Sequence, residues 1–226
     1  VIQVKTDNFA EAHRQLTLKV LACGDTVPTD YDKDDEALSR DAPAVVVVRE
    51  PWKEQRMATI FSKAVYDTPK SLMAYAEEIV HGTMDELTEK LSYTYHDRYK
   101  DQMEGVLEEL ERNLYTRRAQ MITWRPGEDL GAKYPPCFQR AWFRMRGNKL
   151  AMHTHWRSRD VWKAWGSNVF GFAHLHLWVS AHLGLHPGEY IEFIDSAHIY
   201  GRDLEKAQGA VLRDDWGWTL WDIRTG

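Results

Sequence analysis

The sequence predicts an α+β fold in a single domain over residues 1–226. Two observations carry this. Segments of helical period and short β-branched or alternating runs are mixed along the 226 residues. No domain boundary, internal repeat or low-complexity segment divides them.

Taken in order, Phe9 to Leu21 reads as a helix, with Phe9, His13, Leu16 and Val20 at helical spacing and Asp7 or Asn8 as its cap. Gly24 to Asp41 is polar and acidic and reads as a loop. Val45 to Val48, bounded by Pro43 and Pro51, reads as a strand. The next helix has Thr68 as cap, Pro69 at its first position and Gly82 as its stop. Asp101 to Leu114 reads as a further helix, with Met103, Val106, Leu107 and Leu110 on one side. Ala119 to Trp124 reads as a strand that Arg125-Pro126-Gly127 closes.

Cys137 to Arg157 reads as two strands joined at Gly147-Asn148. Period two places Cys137, Gln139, Ala141, Phe143 and Met145 on one face, and Phe138, Arg140, Trp142 and Arg144 on the other. Asp160 to Leu183 reads as a long helix, apolar nearly all round and therefore buried. Glu189 to Asp195 reads as a strand and Asp203 to Leu212 as a short helix. The aromatic tail Trp216, Trp218 and Trp221 has no clear period.

The bulk numbers narrow the function classes. A net charge of −5 provides no general polyanion-binding surface, so nucleic acid is not an expected partner. The two cysteines, Cys23 and Cys137, cannot make a disulfide framework and favour a reducing compartment. No leader pattern and no apolar run of about 18 residues is present, so the expectation is a cytoplasmic protein without a membrane partner. Ten tryptophans fit either an aromatic-rich core or a pocket for flat rings.

Several residues could carry chemistry. Cys137 follows Pro135-Pro136, which fix an extended entry. It reads as a buried structural thiol or, with cations beside it, as a nucleophile. Arg157, near the end of a core strand pattern, needs a carboxylate or a ligand phosphate; Ser158 would add a donor. Arg117 and Arg118 read as solvated or as phosphate-binding. Asn168, inside the most apolar helix, must be hydrogen-bonded, to a neighbouring element or to a pyrimidine edge. His153 and His155 share a strand face, but His174 and His176 diverge on a helix. The ligand spacing that zinc demands is missing, so no metal is expected.

As a set, these residues resemble the thymidylate synthase family, which includes the pyrimidine-nucleotide hydroxymethylases. The resemblance runs from Asp101 to Asp203. It is carried by Asp101-Gln102, Arg117-Arg118, Trp124, Pro135-Pro136-Cys137, Arg157-Ser158-x-Asp160, Asn168 and His198-x-Tyr200 in that order. It implies a large mixed sheet flanked by helices, packing back to back in a homodimer. It implies that Cys137 attacks C6 of a pyrimidine deoxynucleotide monophosphate, and that C5 then takes a one-carbon unit from 5,10-methylenetetrahydrofolate. Arg157 and Ser158 would hold the phosphate, with Arg117 and Arg118 reaching in from the partner subunit. Arg157 would also favour the Cys137 thiolate. Asp160 would meet the pterin, Asn168 the base, and His198 and Tyr200 the sugar hydroxyl. Glu78, ahead of Glu77, is the candidate for the family's proton-handling glutamate.

An amide at Asn168 points to dUMP rather than dCMP. The leading expectation is therefore conversion of dUMP to dTMP. A dUMP or dCMP hydroxymethylase, and a non-catalytic nucleotide-binding homologue, stand as alternatives. The chain departs from the common pattern at Phe138-Gln139, at the short segment Leu91 to His96, at Gly171 where a serine is usual, and in the C-terminal Ile223 to Gly226. The loop arginine of the phosphate clamp has only Arg40 and Arg49 as nearest candidates.

Overall fold

The computed structural model describes residues 1–31, 37–53, 69–83 and 93–212. Thr68, the Trp216, Trp218 and Trp221 tail and part of the 24–41 and 91–96 segments lie outside them. An eight-stranded mixed sheet runs in the order β1-β3-β8-β6-β5-β4, with β2 on β3 and β7 on β8. Its strands are β1 (Ile2–Thr6), β2 (Asp25–Val27), β3 (Ser39–Val48), β4 (Gln120–Ile122), β5 (Phe138–Arg146), β6 (Lys149–Trp156), β7 (Arg159–Asp160) and β8 (His186–Ile199). The helices are α1 (Phe9–Cys23), α2 (Pro69–His81), α3 (Tyr95–Arg112), α4 (Pro126–Asp129), α5 (Trp165–His182) and α6 (Leu204–Val211).

Strand β1 stands where no element was expected, although its period-two burial (Ile2, Val4 and Thr6 in; Gln3 and Lys5 out) is the ordinary strand signal. It pairs in parallel with β3. Strand β3 is longer than its valine run because Pro43 sits in a register shift between Ala42 and Ala44, where a residue without an N–H is tolerated. Strand β2, inside the expected loop, pairs with the β3 extension. Asn8, rather than Asp7, caps α1 by accepting from the Glu11 N–H at 2.9 Å. Asp7 instead pairs with Arg49.

Helix α3 begins at Tyr95, six residues ahead of the expected start at Asp101. A reciprocal Thr94–Asp97 capping box sets that start. Helix α5 begins at Trp165 and not at Asp160, because Arg159 and Asp160 are taken up by the sheet as β7, opposite Ala197 and His198. Asp160 then accepts from the Lys163 N–H at 2.8 Å and turns the chain into the helix.

The β5–β6 hairpin turns at Gly147-Asn148 as expected, with Gly147 at a positive φ of 58°. The face assignment in β5 holds only from Ala141 onward. A register shift between Phe138 and Arg140 moves Phe138 onto the buried face beside Ala141 and Phe143. Phe138 then packs against Trp156, Phe172 and Tyr95. The core lies between this sheet face and α1, α2, α3 and α5. Helix α5 is its centre, packed on α2 and β8. No described helix is long and apolar enough to cross a membrane.

Candidate functional site

The Cys137 thiol sits just before β5, at the end of the sheet where Arg157 leaves β6. The Arg157 N–H donates to the Cys137 carbonyl at 3.0 Å. The Arg157 side chain turns back on the same loop: Nε donates to the Pro136 carbonyl at 3.1 Å and Nη2 to the Pro135 carbonyl at 2.8 Å, leaving Nη2 4.0 Å from Cys137 Sγ. The proline pair thus supplies two carbonyls that aim a guanidinium at the thiol.

Burial nevertheless pushes the Cys137 thiol above its ordinary range; Arg157, Arg159 and a hydrogen bond with Ser158 only partly oppose it. Arg157 acts in the direction of the thiolate, but desolvation outweighs it.

Ser158 opens onto a cleft of about 320 Å³, whose other walls include Tyr31, Asp41, Ser196, His198 and Tyr200. Ser158, His198 and Tyr200 were expected together. Asp41, Ser196 and Tyr31 were not, and Asp41 arrives only because β3 extends far enough to lie opposite His198. Ser196 donates to the Asp41 carboxylate. His198 and Tyr200 rings meet edge to face at 4.8 Å. His198 is 5% exposed, and its Nε2 has no hydrogen-bond partner among the described residues. Such a nitrogen calls for a ligand hydroxyl or water. The Tyr200 hydroxyl is pushed up to about 12, first by burial and then by Asp160, Tyr31 and Cys137. Asp160 lies beside His198; burial raises its carboxyl, against the Lys163 N–H bond, His198 and Lys163.

The surroundings of Asn168 are different. Asn168 is not open-ended: Oδ1 accepts from Arg159 Nη1 at 2.5 Å, and Nδ2 donates to the Tyr75 hydroxyl at 2.5 Å. Arg159 was unremarked in the sequence as the variable residue of Arg157-Ser158-x-Asp160. It is 1% exposed and pairs with the fully buried Glu192, Nε to Oε1 at 2.8 Å and Nη2 to Oε2 at 3.3 Å. Its guanidinium also lies 3.6 Å from the centre of the Trp156 ring. Trp165 and Tyr190 donate to the remaining positions on Glu192. A charged residue inside a core segment always signals a buried partner, and that signal was present at Arg159.

Glu78 is buried on α2, next to Tyr99. Glu77 is exposed and pairs with His81 at 3.8 Å. From the same helix it is Tyr75, not either glutamate, that reaches Asn168.

Arg117 and Arg118 do not join this cluster. Both are exposed, on the loop before β4. Gln120 pairs with Trp142, so the register puts them five or more residues along the sheet from Cys137, roughly 15 Å at strand spacing. Neither candidate loop arginine turns to the cleft: Arg49 binds Asp7, and Arg40 donates to Thr26 and the Leu21 carbonyl. Among the described residues no group of three metal-ligating side chains converges. His155 pairs with Asp195, and His176 with the Leu150 carbonyl.

A family model described as Thymidylate synthase matches residues 52–220. A protein named "Putative thymidylate synthase" from Methanosarcina barkeri is 32% identical over 146 residues, 62% of this chain and 66% of that one. One of the same name from Methanothermobacter thermautotrophicus is 31% identical over 147 residues, 63% of this chain and 64% of its own. Another, from Methanocaldococcus jannaschii, is 26% identical over 210 residues, covering 89% and 92%. The matches to the first two thus span just under two thirds of those relatives. The solved thermostable thymidylate synthase A from Bacillus subtilis shares the fold, with a TM-score of 0.67 at 18% identity over 93% of this chain and 86% of that one.

Proposed function

Because the chain belongs to the thymidylate synthase family, we propose that it transfers a one-carbon unit to C5 of dUMP and releases dTMP. The observation that supports this best is the meeting of the Cys137 thiol, the Arg157 guanidinium and the Ser158–His198–Tyr200 cleft at one end of the sheet.

The Cys137 sulfur adds to C6 of the uracil ring, and the displaced electron pair makes C5 nucleophilic. C5 then bonds to the one-carbon unit; loss of the C5 proton to water expels the donor's nitrogen from that carbon, a hydride taken up there would return the electron pair to C5, and that pair expels the sulfur and restores the ring. Buried as it is, the thiol is largely protonated at rest, and the proton must leave as the bond to C6 forms. Arg157, 4.0 Å away, stabilises the developing thiolate. Arg157 and Ser158 also hold the phosphate, and His198 Nε2 and the Tyr200 hydroxyl hold the sugar hydroxyl.

The donor would be 5,10-methylenetetrahydrofolate, which supplies the carbon and, in a synthase, the hydride. Asp160 suits its pterin: one carboxylate oxygen holds Lys163, and the other has no hydrogen-bond partner among the described residues and can accept from ring N–H groups.

The same reading makes the protein a homodimer in which Arg117 and Arg118 complete the partner's phosphate site. An apolar strip supports this. Val45, Val47, Ile191, Phe193, His153 and Trp142 lie on adjacent strands, incompletely buried, on the sheet face away from the helices. Sedimentation should give a dimer, and Phe193→Asp should shift it towards monomer.

The deciding experiment incubates the protein with dUMP and methylenetetrahydrofolate and follows both products. Dihydrofolate with dTMP supports the synthase. Tetrahydrofolate with hydroxymethyl-dUMP would replace that reading with a hydroxymethylase. No release of tritium from C5 would exclude both enzymatic readings.

A further inference from the structure

An asparagine offers an acceptor at one end and a donor at the other, and rotation of its amide by half a turn exchanges them. Uracil presents a donor at N3 and an acceptor at O4; cytosine presents an acceptor at N3 and donors at N4. An amide at liberty to turn could therefore meet either base, and its presence alone does not settle the choice.

In this chain the amide of Asn168 is held from both ends. Arg159 carries donors only, so the atom 2.5 Å from its Nη1 must be the amide oxygen. The other end must then be the NH2 group, which donates to the Tyr75 hydroxyl at 2.5 Å. Turning the amide would press NH2 against a guanidinium buried beside it. Neither holder is easily displaced. Arg159 is fixed by Glu192, which Trp165 and Tyr190 hold in turn. The Tyr75 ring is 6% exposed and lies against Gly171, where an added Cβ would come within 3.2 Å of Tyr75 Cε1. Gly171 stands where the family resemblance leads one to expect a serine, so the room for Tyr75 and the hydroxyl it brings arise together. The cluster borders the nucleophile: burial raises the Tyr95 hydroxyl most, and Cys137, Tyr75 and Arg159 all act on it.

We propose that Arg159, with Tyr75 as a second anchor, is a specificity-determining positioning residue, which holds the Asn168 amide in a single sense and so commits the site to one base, uracil on the dUMP reading. The inference rests on the dUMP reading above and deepens it. Asn168 meets the base; the other two act through it.

The test is calorimetric binding of dUMP and dCMP to the full chain and to two variants, Arg159→Lys and Tyr75→Phe. Lysine keeps a charge for Glu192 but cannot fork to Asn168 as well. Phenylalanine keeps the ring against Gly171 and removes only the hydroxyl. The wild type should prefer dUMP by about tenfold or more, the size expected of a matched hydrogen-bonding pair. Arg159→Lys should bring the two affinities within about threefold of each other, and Tyr75→Phe should lower the preference by about threefold. General loosening of the fold would weaken both nucleotides alike and leave their ratio unchanged.

If Arg159→Lys does not fold, the paired variant Arg159→Leu with Glu192→Leu, which removes both partners of the buried ion pair together, decides. A wild type that discriminates, with folded variants that discriminate equally well, overturns the clamp and leaves the dUMP reading intact. A wild type that binds both equally also overturns it. A wild type that binds neither sinks the dUMP reading and the clamp with it.

Discussion

Arg157 and Arg159 are two residues apart and face opposite demands. Arg157 is half-buried and held by two backbone carbonyls, with the thiol 4.0 Å away. Its region ends in groups able to take a ligand: Ser158, His198 Nε2 and the Tyr200 hydroxyl around the cleft. Arg159 is fully buried, its charge met by a carboxylate and one further donor by Asn168. One region keeps hydrogen-bonding capacity in reserve for a ligand; the other is nearly saturated by its own partners, with one lone pair and one N–H of the Asn168 amide left over, and acts as a template. The contrast teaches that an arginine able to contact a ligand is recognised by what its partners leave over, whereas one that positions a neighbour is recognised by how fully it is held.

The largest effect expected on the open side is that of Cys137→Ala. Turnover of dUMP should fall by at least about 10³-fold in a product assay, while the melting temperature changes little. Retained turnover would remove the thiol from the chemistry.

On the saturated side, Arg159→Ala strands Glu192 in the core and should cost about 3–5 kcal/mol in urea unfolding, as for one partner of a buried pair. A loss under about 1 kcal/mol would mean that water reaches the pair. It would also dissolve the contrast between the two arginines.

The saturated side should also resist acid poorly. His13, bonded to the Val161 carbonyl and stacked near Trp165, is held down to about 3 by burial first, then by Arg159; its backbone bond only partly offsets this. Burial likewise holds His176 at about 4. Below about 6.5 the unfolded chain takes up protons on both while the folded chain does not, so stability is present above that pH and is lost on descending towards 3–4. At pH 5 the loss should be about 2 kcal/mol per histidine relative to neutral pH. His13→Gln should flatten its share of the urea midpoint against pH.

The smallest effect belongs to Arg157. Alkylation of Cys137, read by peptide mass spectrometry to separate it from exposed Cys23, should be slow at neutral pH and rise through the alkaline range, because burial raises the thiol. Arg157→Gln should slow it by a further factor of about three. An unchanged rate would show that the guanidinium serves only to brace Pro135 and Pro136.

The two regions also differ in how they could be read from sequence. The open side was legible: Cys137, Arg157, Ser158, His198 and Tyr200 form a spaced motif, and the structure brings them to one end of the sheet. Asp41 and Ser196 joined them only through the pairing of β3 with β8, whose extension runs through Pro43 and past the apolar run that marks the strand. The saturated side was visible in Asn168 alone. Arg159, Glu192 and Tyr75 lie on three different elements, and no spacing along the chain connects them. Elsewhere the missed β1 carried a readable alternation in its five residues. The early start of α3 was written in Thr94 and Asp97.

By itself the sequence determined the α+β order, the hairpin at Gly147-Asn148 and the buried helix, and set Cys137, Arg157, Ser158, His198 and Tyr200 in one spaced motif. These follow from periodicity, turn chemistry and local spacing, which are properties of short stretches. Only the tertiary structure decided that burial outweighs Arg157 at the Cys137 thiol, that Arg117 and Arg118 lie far from Cys137 in their own chain, and that Asn168 is gripped between Arg159 and Tyr75. Desolvation and long-range pairing depend on what the rest of the chain packs around a group, and no local pattern records that.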